Sequence, residues 1–294
     1  MKMKYVSKLQ TNIKNYKMIP AKKLTKCVFD GSYTSVFKGK SLNFDELREY
    51  AFGDDVKDID WKSTARSGKV LVRQFIAEKK HNIMFAFDTN RRMLANSEEA
   101  VEKKELAIMA AGTLALLVNR NNDYISSMYK TAKGLSYSPF RTGLGNIELM
   151  LEGYDNAAVM ENHTDINDTL SYIVRNFKRQ MILIIVTDLE GLSGISEANL
   201  RHLNVLNDVL VICVKDACLE GNKMYDIGED VYLEDFFGKD KKLRKLISAE
   251  KQKLEDECHV KLSRYGIACA EIGSAINIEK EIMSMLEQHK YKKR

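Results

Sequence analysis

Two aspartates stand where apolar runs end: residues 82–87 run into Asp88, and residues 181–186 run through Thr187 into Asp188. Paired carboxylates with hydroxyl side chains nearby suit a hard cation such as Mg²⁺, which takes oxygen ligands. Asn90 adds an amide oxygen that can coordinate. Arg92 cannot, because a guanidinium has no acceptor and stays charged. It can instead take the cation's place by pairing with Asp88 or Asp188. Thr164, in His163-Thr164-Asp165-Ile166, reads either as a further hydroxyl ligand or as a helix N-cap. A haloacid-dehalogenase-type phosphatase is disfavoured, since that chemistry needs Asp-x-Asp and position 90 is Asn. No GxxxxGK[ST], HExxH or GxSxG occurs. The five histidines are isolated in sequence, and the five cysteines are scattered without a CxxC pair, which argues against zinc.

These carboxylates need elements to hold them. From His81 onward apolar strands alternate with helical stretches. Strands are expected over 82–87, 124–129, 134–138, 181–186, 209–214 and 267–272. Helices are expected over 97–118, 146–152, 164–177, 196–203, 239–265 and 278–288, with Ser97 capping the first and Glu98, Glu99 and Glu102 in its opening turns. A short strand or loop is expected at 229–234. Such alternation, with several nearly all-apolar strands, predicts an α/β domain whose mainly parallel sheet carries helices on both faces. Ligands bind such sheets at the carboxyl ends of the strands. Asp88 and Asp188 meet there if their strands are neighbours.

Hydrophobic residues make up 45% of the 294 and charged residues 30%, ordinary values for a globular chain. No apolar run reaches the roughly 18 to 20 residues of a membrane span. Scattered, odd-numbered cysteines fit a reducing, cytoplasmic compartment. Net charge is +5, yet residues 1–26 alone hold eight lysines and no acid, leaving −3 on the rest. Nucleic-acid binding is therefore not expected. In the basic arm Val6, Leu9, Ile13 and Tyr16 share one helical face, up to Pro20. That face either packs on the body or rests, through residues 1–19, on a membrane surface.

The densest pattern lies at 44–78. Extended strands are expected at 32–37 and 70–76, with a turn at 52–55 and a helix from Asp54 or Asp55 to about Ala65. Arg48, Tyr50, Gly53, Asp54, Ile59, Asp60, Trp61, Ala65 and Arg66 form an ordered signature. It resembles that of the domain of unknown function 58 family, a von Willebrand factor A-like family, with Lys57 or Asp58 where that family usually has Arg. The resemblance implies an A-type domain over 81–294, preceded by an extension over 27–80 and the arm over 1–26. It implies an A-type metal loop, Asp-x-Ser-x-Ser, with a Thr and an Asp from two further loops. Here Asp88, Asn90, Arg92, Thr164 and Asp188 fall at those positions, so the loop is degenerate at 90 and 92. It also implies a MoxR-type AAA+ ATPase as partner and a chaperone-like role.

The signature itself reads as a clamp, with Trp61 buried and Arg48, Arg66 and Arg73 paired to Asp54, Asp55, Asp58 or Asp60. Otherwise part of the cluster is exposed to recognise a partner. Its acids lack EF-hand spacing. The expected function is that of a non-catalytic protein-binding adaptor with no cofactor. The alternative is a Mg²⁺-dependent ligand-binding or hydrolytic domain using Asp88 and Asp188.

Overall fold

The computed structural model describes residues 3–15, 43–76, 80–97, 101–216, 225–226, 231–232 and 241–292. It forms two compact units, Met1–Ser32 with His81–Arg294, and Tyr33–Lys80. The expected strand at 32–37, the cap residues Glu98 and Glu99, and Pro20 lie outside the described residues.

Helix α1 (Lys4–Asn15) belongs to the larger unit. Its apolar face is buried there at Val6 and Leu9, each such side chain contributing about 1.5–3 kcal/mol. The buried Glu148 carboxylate accepts the backbone N–H groups of Tyr5 (3.0 Å) and Val6 (2.8 Å) at the helix start.

The smaller unit pairs β1 (Asn43–Glu49) antiparallel with a later strand, β2, across a connection containing a 3-10 turn (Val56–Asp58) and helix α2 (Trp61–Ser67). Strand β2 spans Leu71–Ile76. The expected single helix from Asp54 or Asp55 is thus divided. Asp55 caps only the 3-10 turn, and Asp60 caps α2 through the N–H groups of Lys62 and Ser63. Gly68 ends α2 at φ 71°, a left-handed conformation that glycine adopts without strain.

In the larger unit the elements follow as β3 (Asn82–Phe87), α3 (Lys103–Asn119), β4 (Tyr124–Thr131), β5 (Gly134–Arg141), α4 (Leu144–Ala157), α5 (Ile166–Asn176), β6 (Ile182–Asp188), α6 (Leu189–Gly194), α7 (Glu197–Leu206) and β7 (Asp208–Val214). A two-residue pair, β8 (Tyr225–Asp226) and β9 (Val231–Tyr232), precedes α8 (Lys241–Arg264), β10 (Ala268–Ile272) and α9 (Ile278–Lys292). Two elements depart from expectation. Helix α3 begins at Lys103, not Ser97, whose N–H instead donates to the Val101 carbonyl. Helix α6 was not expected, because its six residues are too few to show a helical period.

The six-stranded sheet has the order β10-β7-β6-β3-β4-β5, parallel throughout except for the β4–β5 hairpin. Counted along this unit, that is the order 3-2-1-4-5-6 of doubly wound sheets. Side chains alternate across it. Phe87 stacks on Tyr154 of α4 on one face. Met84 and Ala86 join the core of α5, α6, α7 and α8 on the other. Helix α3 is buried over most of its length, as expected of a helix apolar around much of its circumference. The architecture is an α/β domain whose mainly parallel six-stranded sheet is covered by helices on both faces.

Candidate functional site

Strands β3 and β6 lie side by side, and the Asp88 N–H extends their ladder by donating to the Val186 carbonyl (2.8 Å). In a 3-2-1-4-5-6 sheet this is the switch point, where chain connections leave in opposite directions and open a crevice. Asp88 and Asp188 both sit there, and both are about 1% exposed.

Each carboxylate is fixed by neighbouring donors. Asp88 Oδ1 accepts the Asn90 N–H (2.9 Å), and Oδ2 accepts the Thr187 hydroxyl (2.7 Å). Asp188 caps α6, its Oδ1 accepting the Gly191 N–H (2.8 Å). Gly191 is required by contact. A Cβ there would lie 2.1 Å from Thr187 Oγ1 and 2.5 Å from Asp88 Oδ2.

Two cations meet these acids. Arg92 lies 3.4 Å (Nη2) from Asp88 Oδ2, 3.6 Å (Nε) from Asp188 Oδ2 and 3.6 Å (Nη1) from the exposed Glu190. Lys103 is the closer one. Its Nζ donates to Asp188 Oδ2 at 2.7 Å and also to Asp216, and its side chain is 2% exposed. Sequence reasoning named Arg92 but not Lys103, because fifteen positions and a helix start separate Lys103 from Asp88. The available signal was a lysine opening a helix that is almost wholly apolar from Leu106 to Val118.

The two acids respond in opposite directions. Burial, then the neighbouring Asp188 charge, pushes the Asp88 carboxyl up to about 6. Burial pushes Asp188 up as well, but Lys103 and Arg92 outweigh it and hold Asp188 below its ordinary value. Burial disfavours the charged form of Lys103, and its two aspartates more than offset this, raising it. The buried Tyr154 phenol beside the site is raised well above its usual value, first by burial and then by Asp88 and Asp188.

Asn90 and Thr164 do not join the carboxylates. Asn90 Oδ1 accepts the Arg92 N–H (3.1 Å), and its Nδ2 donates to the Thr164 carbonyl (2.8 Å). The Thr164 hydroxyl lies 3.1 Å from that of Thr89 and donates to the Lys130 carbonyl (3.3 Å). Nor does Thr164 cap α5; Asp165 does. An octahedral ion needs oxygens converging at about 2.0–2.1 Å. Here two of the four expected donors are spent on loop bonds, and an ammonium and a guanidinium face the other two. The residues present do not fit a divalent ion, and among those described no group of three His, Cys, Asp or Glu side chains is arranged to hold one.

The cysteines are also placed for packing. Cys213 and Cys258 are buried, and burial, reinforced by Glu271, raises the Cys269 thiol to about 12. Thiols held neutral in this way are poor nucleophiles. Cys27 and Cys218 lie outside the described residues.

In the smaller unit Arg48 pairs with Asp54 and Arg73 with Asp60. Arg48 grips Asp54 with two bonds, Nη1 to Oδ2 at 2.8 Å and Nη2 to Oδ1 at 2.6 Å, and Asp54 also accepts the Ala51 N–H. This fork lowers the Asp54 carboxyl. It closes the turn in which Gly53 sits at φ 106°. Asp60 receives Arg73 Nε at 3.0 Å. Arg66 lies exposed in the last turn of α2. The expected burial of Trp61 is corrected: it is 64% exposed, and Phe52, Val56, Tyr50 and Val70 are exposed as well. Trp61 opens α2, whose seven residues contain no buried position.

The chain is 26% identical over 212 residues to an uncharacterized protein of Mycobacterium tuberculosis (strain H37Rv), a match covering 71% of this chain. It spans 65% of the length of that relative. Among solved structures, the conserved hypothetical protein BatB from Bacteroides thetaiotaomicron is similar at TM-score 0.46 and 17% identity, over 71% of this chain and 98% of that one. A von Willebrand factor type A protein from Catenulispora acidiphila is similar at TM-score 0.39 and 10% identity, over 74% of this chain and 44% of that one. The family model described as protein of unknown function DUF58 matches residues 46–235, more than half of the chain, and the protein belongs to that family.

Proposed function

We propose that this protein is a non-catalytic binding module that docks a protein partner through the 50–61 stretch of its smaller unit, the partner being a MoxR-type AAA+ ATPase. The observation that carries the reading is how the signature divides its labour. Arg48, Asp54, Asp60 and Arg73 are spent on internal pairs that hold the turn and α2 in shape. Phe52, Val56 and Trp61 are left in solvent. Large exposed apolar side chains on a braced scaffold are what a binding hot spot needs, since little entropy remains to be lost on docking. The rim supports the non-catalytic part of the reading. Asp188 pairs with Lys103, and Arg92 lies 3.4 Å from Asp88 and 3.6 Å from Asp188.

The test is co-purification of the tagged chain with a AAA+ ATPase encoded nearby, across salt and nucleotide conditions. Trp61→Ala should weaken capture by at least about 30-fold, equivalent to about 2 kcal/mol. Its thermal unfolding should be unchanged, because the side chain buries little here. Purification of the wild type alone under every condition, or full capture by Trp61→Ala, would remove the support.

A further inference from the structure

The switch point of this sheet is filled from within. Lys103 is the first residue of a 17-residue helix whose N-cap, Glu102, makes no side-chain capping bond. The N-terminus of a helix carries partial positive charge and disfavours a cation. The side chain is also buried, which disfavours it again. Both costs are met by the same two partners, Asp188 at 2.7 Å and Asp216. Arg92 contributes from the rim at 3.4 Å or more and keeps about a quarter of its side chain in water.

We propose that the Lys103 ammonium is the resident cation of the rim, a tethered charge held between Asp188 and Asp216, and that its removal opens a site for Mg²⁺ or Mn²⁺. The geometry supports both halves. Asp188 Oδ2 and Asp216 Oδ1 both bond the ammonium nitrogen, so truncating Lys103 leaves two carboxylate oxygens facing one emptied position. Asp88 lies beside them, close enough for the Asp188 charge to raise its carboxyl. The removed stem frees room for an ion and its waters. Small hard cations keep several waters and need only one or two carboxylates. The inference is independent of the docking surface on the smaller unit, and its failure would leave that reading untouched.

The experiment is thermal unfolding of the full chain with and without millimolar MgCl₂ or MnCl₂, together with Mn²⁺ binding counted by electron paramagnetic resonance. Wild type should bind no Mn²⁺ at the rim and show no metal-dependent shift. Lys103→Ala should melt lower without metal, bind one Mn²⁺ and be stabilised by it in a concentration-dependent way. Lys103→Arg, which keeps the charge, should behave like wild type. Adding Asp188→Asn to Lys103→Ala should abolish the metal response. The proposal is overturned if wild type binds Mn²⁺ and loses it on Asp188→Asn, or if Lys103→Ala melts like wild type and ignores metal. Should Lys103→Ala not fold, the Lys103→Met/Asp188→Asn pair decides. Recovery of the fold upholds charge compensation, and continued failure overturns it.

Discussion

Asp88 carries the most readable electrostatics of the rim. Its carboxyl, raised to about 6 by burial and by Asp188, costs stability when it ionises. A buried acid whose folded value lies above its unfolded one is destabilising once the pH exceeds both, on the order of 3 kcal/mol for this shift. That cost is relieved as pH falls through about 6 toward the ordinary carboxylate range. Asp188 has the opposite sign, since its lowered value gives stability present at neutral pH and lost only in acid below the ordinary carboxylate value. Urea midpoints measured from about pH 7 to 5 should therefore rise for wild type relative to Asp88→Asn. Parallel curves would contradict this assignment. Gly191 offers a steric counterpart. Gly191→Ala forces a Cβ against Thr187 and Asp88 and should lose about 1–3 kcal/mol. Gly194→Ala, where an added Cβ meets nothing within 4 Å, is its control in the same denaturation series.

The elements assemble around close approaches that hydrophobic pattern alone does not specify. Helix α1 nests on α3 because Gly112 offers no side chain; a Cβ there would lie 2.4 Å from Leu9. Glu148 then satisfies two of the N–H groups that a helix start leaves open. Removing a buried acceptor with two bonds strands both donors, so Glu148→Ala should cost about 1–3 kcal/mol. Hydrogen exchange in residues 4–15 should accelerate more than in β3 or β6. Uniform acceleration across the chain would show that α1 is not held separately by this contact. The smaller unit relies instead on polar bracing. Asp54 and Asp60 each bond one arginine and nearby backbone N–H groups, which lets its apolar side chains stay outside.

At the scale of the molecule the larger unit buries the rim residues Asp88, Asp188 and Lys103, while in the smaller unit Tyr50, Phe52 and Trp61 are exposed. No described helix is long and apolar enough to cross a membrane. Much of the larger unit was legible in advance. The apolar runs of β3, β6 and β7 and the alternating helices predicted the sheet, and the two strand-ending aspartates predicted its rim. The smaller unit was less so. Strand β1 reads NFDELRE, with charged residues at four of seven positions, and pairs through backbone bonds that its side chains do not announce. Burial of Trp61 was expected because tryptophan usually covers apolar surface, but the seven-residue α2 has no buried position.

Period and composition were enough to establish which stretches become strands and helices, since a fully apolar run has few ways to leave water. They also placed Asp88 and Asp188, because Asp88 follows β3 directly and Asp188 ends β6. Which cation reaches them was a question of distance through space. Lys103 arrives from a helix start beyond the loop, and Asp216 from the end of β7, pairings that no local spacing encodes. Likewise Asn90 and Thr164 had suitable oxygens, but only the folded loops determined that those oxygens would bond backbone and neighbouring hydroxyls instead of an ion. Local pattern follows from how each residue meets water, whereas the site's chemistry follows from which charges the fold forces together.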